Sequence, residues 1–258
     1  MRNAHRRKTV EIYTDGPLIH NKQEVKRLFE EGIRMLDSDD LLEPGDTVLL
    51  RAHGVSEARK QELESRDIRV IDATCPRVTR AQKIISEHTS HGHRGIIIGD
   101  ADHAEIRSIL GHAKGPCTVV SDISEVGKVK ESQAPFVVIS QTTFDIYKIR
   151  EILEALPLDP ERDHIVKTIC DATHKRQEAA SELAKSVDVM FVVGGYHSAN
   201  TRRLAQVCRR LNPLTFHIET ADEIRRSLFP DAKTAGVTAG ASTPSWVIQQ
   251  VCDKLRKM

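Results

Sequence analysis

Asp72-Ala73-Thr74-Cys75-Pro76, with its echo at Ile169-Cys170-Asp171-Ala172-Thr173, decides how this chain is read. Each cysteine follows a short apolar run of strand character, Ile68-Arg69-Val70-Ile71 before the first and Ile165-Val166 before the second. Each also opens a segment of helical character. Five residues on, both copies carry a base (Arg80, Lys175), and seven residues on a glutamine (Gln82, Gln177). A cysteine where a strand hands over to a helix lies near the positive end of the helix dipole, which favours thiolate, the form that binds metal or attacks. A lone cysteine so placed would more simply be a packing residue. Two copies in one local frame, each beside an Asp-Ala-Thr triplet, favour chemistry.

Outward from these turns the chain repeats one alternation. Val10-Glu11-Ile12-Tyr13 reads as a strand that runs into Gly16-Pro17-Leu18-Ile19-His20-Asn21, and a helix with Val25, Leu28 and Phe29 on one face follows. Val48-Leu49-Leu50 ends in Arg51-Ala52-His53-Gly54-Val55, and Ser56 caps the next helix. Beyond Cys75 come Gly95-Ile96-Ile97-Ile98, Thr118-Val119-Val120 and Phe136-Val137-Val138-Ile139; beyond Cys170 come Val189 to Val193, Leu214 to Ile218 and the stretch around Val237. Continuous apolar strands alternating with amphipathic helices predict an α/β fold with parallel sheets covered on both faces. The separation of the two cysteines predicts similar modules at 1–74, 75–169 and 170–258.

In such sheets ligands sit beyond the carboxyl ends of the strands. There the chain concentrates its unusual residues: His20, His53, Cys75, His103, Glu105, Thr142, Cys170, Ser198, Asn200 and Ser242. Helix starts and small hydroxyl residues at these ends suit phosphate oxygens.

Composition excludes other classes. Lys plus Arg is 38 and Asp plus Glu is 37, so no overall field draws nucleic acid or an anionic membrane. Aromatics are only 4%, too few for base-stacking platforms. No run is long enough to span a bilayer, no secretory signal is present, and five cysteines without framework spacing predict a cytoplasmic protein with reduced thiols. The only local basic cluster is His5-Arg6-Arg7-Lys8. His103-Ala104-Glu105 matches half of the zinc deaminase signature, but Val120 stands where the second cysteine of the other half is needed. Cys208 and Cys252 fall on apolar helix stripes and are expected in the core, while Cys117 sits in a Gly-Pro loop with no assigned role.

The strand ends, taken in order, resemble the 4-hydroxy-3-methylbut-2-enyl diphosphate reductase family. The motifs are Gly16-Pro17-Leu18-Ile19-His20-Asn21, Arg51-Ala52-His53-Gly54-Val55-Ser56, Asp72-Ala73-Thr74-Cys75-Pro76, His103-Ala104-Glu105, Ser140-Gln141-Thr142-Thr143, Thr168 to Thr173, Gly194-Gly195 with Ser198 to Thr201, and Val237 to Ser242. The resemblance implies three α/β modules around a central 4Fe-4S cluster, with Cys75 and Cys170 as ligands. It implies that His20, His53, His103, Ser198, Asn200 and Ser242 hold the diphosphate, and that Glu105 beside Thr142 relays protons. The reaction implied is reductive dehydroxylation of the allylic diphosphate to isopentenyl and dimethylallyl diphosphate. It is the last step of non-mevalonate isoprenoid synthesis, fed by an electron donor such as ferredoxin or flavodoxin.

The family's first cluster cysteine, on an opening strand-to-helix turn, has no counterpart here, so the third cysteine ligand is missing from this chain and the first module is expected to be incomplete. Stepping back one repeat from Cys75 lands before Met1, and residues 1–8 read as the tail of a missing helix. Two expectations follow: a start placed late in a reductase, or an inactive, cluster-less diphosphate-binding relative. Ala104 where the family usually has proline, and Tyr196-His197 in place of Lys-Asn, are lesser departures.

Overall fold

The computed structural model describes residues 10–258; the basic cluster and the helix tail expected at 1–8 lie outside the described residues. Three parallel sheets carry the chain. The first holds β1 (Ile12–Asp15), β2 (Ile33–Met35), β3 (Thr47–Leu50) and β4 (Arg69–Asp72) in the order β2-β1-β3-β4. The second holds β5 (Arg94–Ile98), β6 (Cys117–Val120), β7 (Phe136–Ser140) and β8 (His164–Ile165), ordered β6-β5-β7-β8. The third holds β9 (Val189–Val193), β10 (Thr215–Ile218) and β11 (Ala235–Ala239), ordered β10-β9-β11. In each, the second strand lies outside the first and the chain then crosses back. That is the parallel crossover pattern, in which helices fill the connections.

The helices are α1 (Lys22–Glu30), α2 (Glu57–Glu64), α3 (Pro76–Ser90), α4 (Ala104–Leu110), α5 (Ile146–Ala155), α6 (Asp171–Ser186), α7 (Ala199–Leu211) and α8 (Ser245–Arg256). Their starts are written in the sequence. Asn21 caps α1 through a bond from the Glu24 N–H (3.0 Å), Ser56 caps α2 through Arg59 (3.1 Å), and Asp145 caps α5 through Tyr147 (2.9 Å). Cys75 and Cys170 are the residues before α3 and α6, and Pro76 occupies the first turn of α3, where its missing N–H is harmless.

Burial is two-sided in the second and third sheets. Ile96, Ile98, Val138, Phe136 and Ile152 pack on one face of the second sheet, and Ile97, Val137, Ile139, Ile85 and Ile106 on the other. The third sheet has Val189, Phe191 and Val193 facing one cluster and Met190 and Val192 another. In the first sheet Tyr13, Val48, Leu50, Val55 and Leu63 form one cluster, on one face, and the other face carries no buried cluster among the described residues. The helix that carries Val25, Leu28 and Phe29 on one face has no fully buried residue, and Phe29 is 61% exposed. Cys117 begins β6 instead of lying in a loop, and Cys252 is half-buried where core burial was expected; Cys208 is buried.

Candidate active site

The two cysteine turns are built alike. The Cys75 N–H donates to the Ala52 carbonyl (3.0 Å), and the Cys170 N–H donates to the Thr142 carbonyl (2.9 Å). Ala52 and Thr142 each stand two residues past a central strand, β3 and β7. Each cysteine is thereby pinned beside the motif of the preceding strand end: His53 for one, Thr142 itself for the other. The repeated glutamines fasten the helices behind. The Gln82 amide donates to Ser108 Oγ (2.7 Å), and the Gln177 amide donates to the Phe144 carbonyl (3.0 Å), both buried. Neither cysteine side chain makes a capping bond and both thiols are free and half-buried.

All ten candidate residues line one cavity of about 340 Å³: His20, His53, Cys75, His103, Glu105, Thr142, Cys170, Ser198, Asn200 and Ser242. They come from strand ends of all three sheets. The close fit between layers depends on Gly195, whose backbone lies against the His20 carbonyl; a Cβ there would overlap that oxygen.

The histidines form one group, with ring centroids 5.0 Å apart for His20 and His53 and 5.1 Å for His53 and His103. Burial, with the Arg51 charge added for His20 and with His20 and Arg51 for His53, lowers their pKa values, His53 to about 4. Burial and the neighbouring His53 take His103 down to about 3. All three are therefore neutral at pH 7. One nitrogen from each lies within 4.8 Å of the others, a spacing that a metal ion could also use. The tautomer of His103 opposes that use. Its Nδ1 accepts the backbone N–H of Glu105 (3.2 Å), so the ring proton sits on Nε2 and faces outward as a donor. A donor suits an anion.

Further polar atoms in this region have no protein partner. Among the described residues, His53 Nδ1, Asn200 Nδ2 and Arg51 Nε are buried without a hydrogen bond. Buried polar groups are normally satisfied, so such orphans mark where a ligand belongs. Ser198 divides its role: its hydroxyl accepts the Thr201 N–H (3.3 Å) and caps α7 while lining the cavity.

Glu105 is 1% exposed. The Thr142 N–H donates to its Oε1 (2.6 Å), and Thr142 Oγ1 lies 3.0 Å from Oε2. Burial pushes the carboxyl up to about 7, against the pull of both Thr142 contacts and the charge of Arg203. A carboxyl poised there can hold or release a proton near neutrality.

Sequence reasoning missed Arg51, Thr173, Arg176 and Arg203. Thr173 and Arg176 line the cavity from the first turns of α6. Arg51 stood in the quoted Arg-Ala-His motif and could have been found there. Of the spare cysteines, Cys117, Cys208 and Cys252 do not line the cavity.

The LytB protein family matches residues 1–256. A protein of Geobacter sulfurreducens named 4-hydroxy-3-methylbut-2-enyl diphosphate reductase is 40% identical, over 96% of this chain and 87% of that protein. One of the same name from Caldanaerobacter subterraneus is 38% identical, over 98% and 88%. Among solved structures, (E)-4-hydroxy-3-methyl-but-2-enyl diphosphate reductase, described as the terminal enzyme of the non-mevalonate pathway, superposes with a TM-score of 0.70. It is 35% identical, over 98% of this chain and 90% of its own. A reductase structure from Plasmodium falciparum, 22% identical, shares the fold with a TM-score of 0.90, over 95% of this chain and 78% of its own.

Proposed function

This chain belongs to the LytB protein family, and from that membership and the ten converging side chains we infer that it is a 4-hydroxy-3-methylbut-2-enyl diphosphate reductase. The reaction replaces an allylic C–O bond by C–H: two electrons and two protons enter, water leaves, and isopentenyl and dimethylallyl diphosphate form. The observation that carries this reading is the cavity in which two free thiols, a raised carboxyl and the orphaned polar atoms of His53 and Asn200 meet.

The diphosphate lies against His20, His53 and His103, with Ser198, Asn200 and Ser242 completing the cradle. Neutral imidazoles donate N–H bonds to phosphate oxygens, and the half-buried Arg51 supplies positive charge beside them. The start of α7 adds its own N–H groups and dipole. Glu105 carries a proton in its neutral form, and Thr142 Oγ1 stands beside Oε2 to pass it to the departing hydroxyl. Protonation turns a poor leaving group into water, and a positioned acid of this kind accelerates turnover by about 10²–10⁴.

Cys75 and Cys170 fit an iron–sulfur group, since both thiols are free, line the cavity and stand immediately before helices α3 and α6. When bound, a 4Fe-4S cluster would supply the electrons and an open iron for the substrate oxygen. Among the described residues these two cysteines line the cavity, and we propose that they supply two thiolates to the cluster. We further assign the modules to 1–74, 75–169 and 170–258. We expect a small electron-carrier protein such as ferredoxin or flavodoxin as donor, and a cytoplasmic location. Among the described residues no helix is long and apolar enough to cross a membrane.

The two-cysteine site also motivates a second reading, a diphosphate-binding relative that holds no cluster. Anaerobic purification with iron and sulfide quantification, alongside calorimetric titration with the allylic diphosphate, separates the two. The reductase reading expects bound iron, sulfide and turnover. An iron-free protein that binds the diphosphate without turnover overturns it.

A further inference from the structure

Arg203 is the buried cation for which this mechanism has no use. It lies on α7, three residues past Asn200, and is 9% exposed. Its ion pair is a long one, with the Asp100 oxygen 3.8 Å away. Its guanidinium is spent on one loop of the second sheet. Nη2 donates to Gln141 Oε1 (3.2 Å), Nη1 to the Thr143 carbonyl (3.4 Å), and the group lies over the Phe144 ring, 4.4 Å from its centroid. Gln141, fully buried, is itself fixed to both sides of the β5 turn, by its N–H to Ile98 and by its side chain to the Asp100 N–H.

Thr142 is the one residue between these contacts, and both its N–H and its hydroxyl face Glu105. The loop that grips the carboxyl from one side is therefore gripped from the other by a helix of another sheet. A buried charge whose ion pair is long is costly to keep, so its retention calls for a reason.

We propose that Arg203 is a positioning residue: from α7, whose first turn carries Ser198 and Asn200, it holds the Gln141–Phe144 loop so that Thr142 meets Glu105, and it places its charge behind that carboxyl. The proposal rests on the reading of Glu105 as the proton carrier. It ties the diphosphate end of the cavity to the proton end through one side chain.

Several charged or titratable groups surround Glu105. His103 before its helix is neutral and Arg107 on it is exposed; the β5 turn carries Asp100 and the exposed Asp102; the loop after β7 leads to Asp145; the first sheet contributes neutral His20 and His53; α3 and α6 contribute the exposed Arg77 and the half-buried Arg176, which line the same cavity; and α7 carries the exposed Arg202 beside Arg203. Arg203 is the one whose charge acts on the carboxyl, lowering a pKa that burial raises. Burial brings its own value down to about 10, which leaves it charged at neutrality. Without that charge the carboxyl would grip its proton harder and release it more slowly.

The test is a carbon-13 titration of the Glu105 carboxyl in the whole chain, identified by the resonance missing from Glu105→Gln, with turnover measured alongside. In Arg203→Met the midpoint should move up by about one pH unit or more, because an opposite charge has been removed. In Arg203→Lys, which keeps the charge but not the fork, the midpoint should stay within a few tenths of a pH unit. Turnover there should fall about tenfold or more, with KM changing less than threefold, because the loop has lost its grip. An unmoved midpoint in Arg203→Met overturns the inference. If that variant does not fold, Arg203→Lys decides alone, and unchanged turnover in it overturns the inference. Normal turnover in Glu105→Gln would instead remove the reading of Glu105 itself, whatever Arg203 does.

Discussion

The first and second sheets share a strand order and end in the same cysteine turn, yet they are held together differently. In the second sheet β5 and β7 are buried on both faces, with apolar clusters above and below. In the first sheet Tyr13, Val48, Leu50 and Val70 share the covered face, while the face carrying Ile12, Leu49 and Ile71 has no buried cluster among the described residues. Both sheets deliver site residues, His20 and His53 from the first and His103, Glu105 and Thr142 from the second. Placement of a site thus follows from backbone pattern, and firmness from two-sided burial. The proposed diphosphate cradle draws His20 and His53 from the looser layer and His103 from the firmer one, which also carries the proposed proton carrier, Glu105.

The largest test of this comparison asks whether both cysteine ends serve equally. Cys75→Ser and Cys170→Ser should each abolish bound iron, whereas Cys208→Ser should leave it intact, as read by iron and sulfide analysis. Iron retained in Cys75→Ser would mean that the looser sheet contributes no ligand. Iron lost in Cys208→Ser would defeat the site assignment.

Glu105→Gln probes the firm layer. Turnover should drop by about 10²–10⁴ while diphosphate affinity stays within a few-fold. The same variant should also change the pH dependence of folding. Glu105 has a pKa of about 7 folded against 4.5 as the ordinary value, so between these pH values the folded chain binds more protons than the unfolded one. Its contribution is complete below about pH 4.5 and is lost as pH rises through 7, in all about 3 kcal/mol. Denaturant titrations at pH 5 and pH 8 should show that difference in the parent and lose it in the variant. An unchanged difference would place the titration elsewhere.

Much of this was legible in the residues themselves. Apolar runs of four or five residues, such as Phe136 to Ile139 or Val189 to Val193, have one stable use in an α/β chain, and their ends announce where ligands collect. The cysteine echo exposed the repeat. What escaped was decided by contacts between layers. β2 is three residues long, with Arg34 at its centre, and pairs only because β1 lies beside it. Arg203 belongs to Thr201-Arg202-Arg203, which on a helix wheel reads as a solvated charged face; the second sheet buries one of the two arginines and leaves the other exposed. The helical period of α1 was correct, but its apolar side is only partly covered among the described residues: Val25 and Leu28 are half-buried and Phe29 is exposed. Period alone cannot tell an amphipathic helix that finds a core from one that does not.

Core truncations put numbers on the contrast. Ile97→Ala, in the fully buried middle of the second sheet, should destabilise by about 2–5 kcal/mol, as deletion of well-packed methyl groups does. Ile12→Ala, on the uncovered face of the first, should stay within about 0.5 kcal/mol. Chemical denaturation monitored by far-ultraviolet circular dichroism reads both. Comparable losses would show that the uncovered face is buried in solution.

The smallest effect separates local from global stability. Asn21 caps α1 through the Glu24 N–H and adjoins His20, whose ring faces the cavity. Asn21→Ala removes a bond worth about 1 kcal/mol. In a two-sided layer such a loss is shared by the whole core and appears as a lower midpoint of unfolding. In the first layer α1 has no fully buried residue, and its ties to the rest of the chain include polar ones such as Gln23 and Lys22 to Glu219, so its opening is weakly coupled to the core. The loss should therefore appear as faster amide exchange confined to Lys22–Glu30, with the global midpoint almost unmoved. Diphosphate affinity should weaken by about fivefold, since His20 must be re-ordered each time substrate binds. A cap deletion that lowers the global midpoint and leaves exchange in α1 unchanged would show that the first layer is as firmly joined as the second, and the comparison would fail at its weakest point.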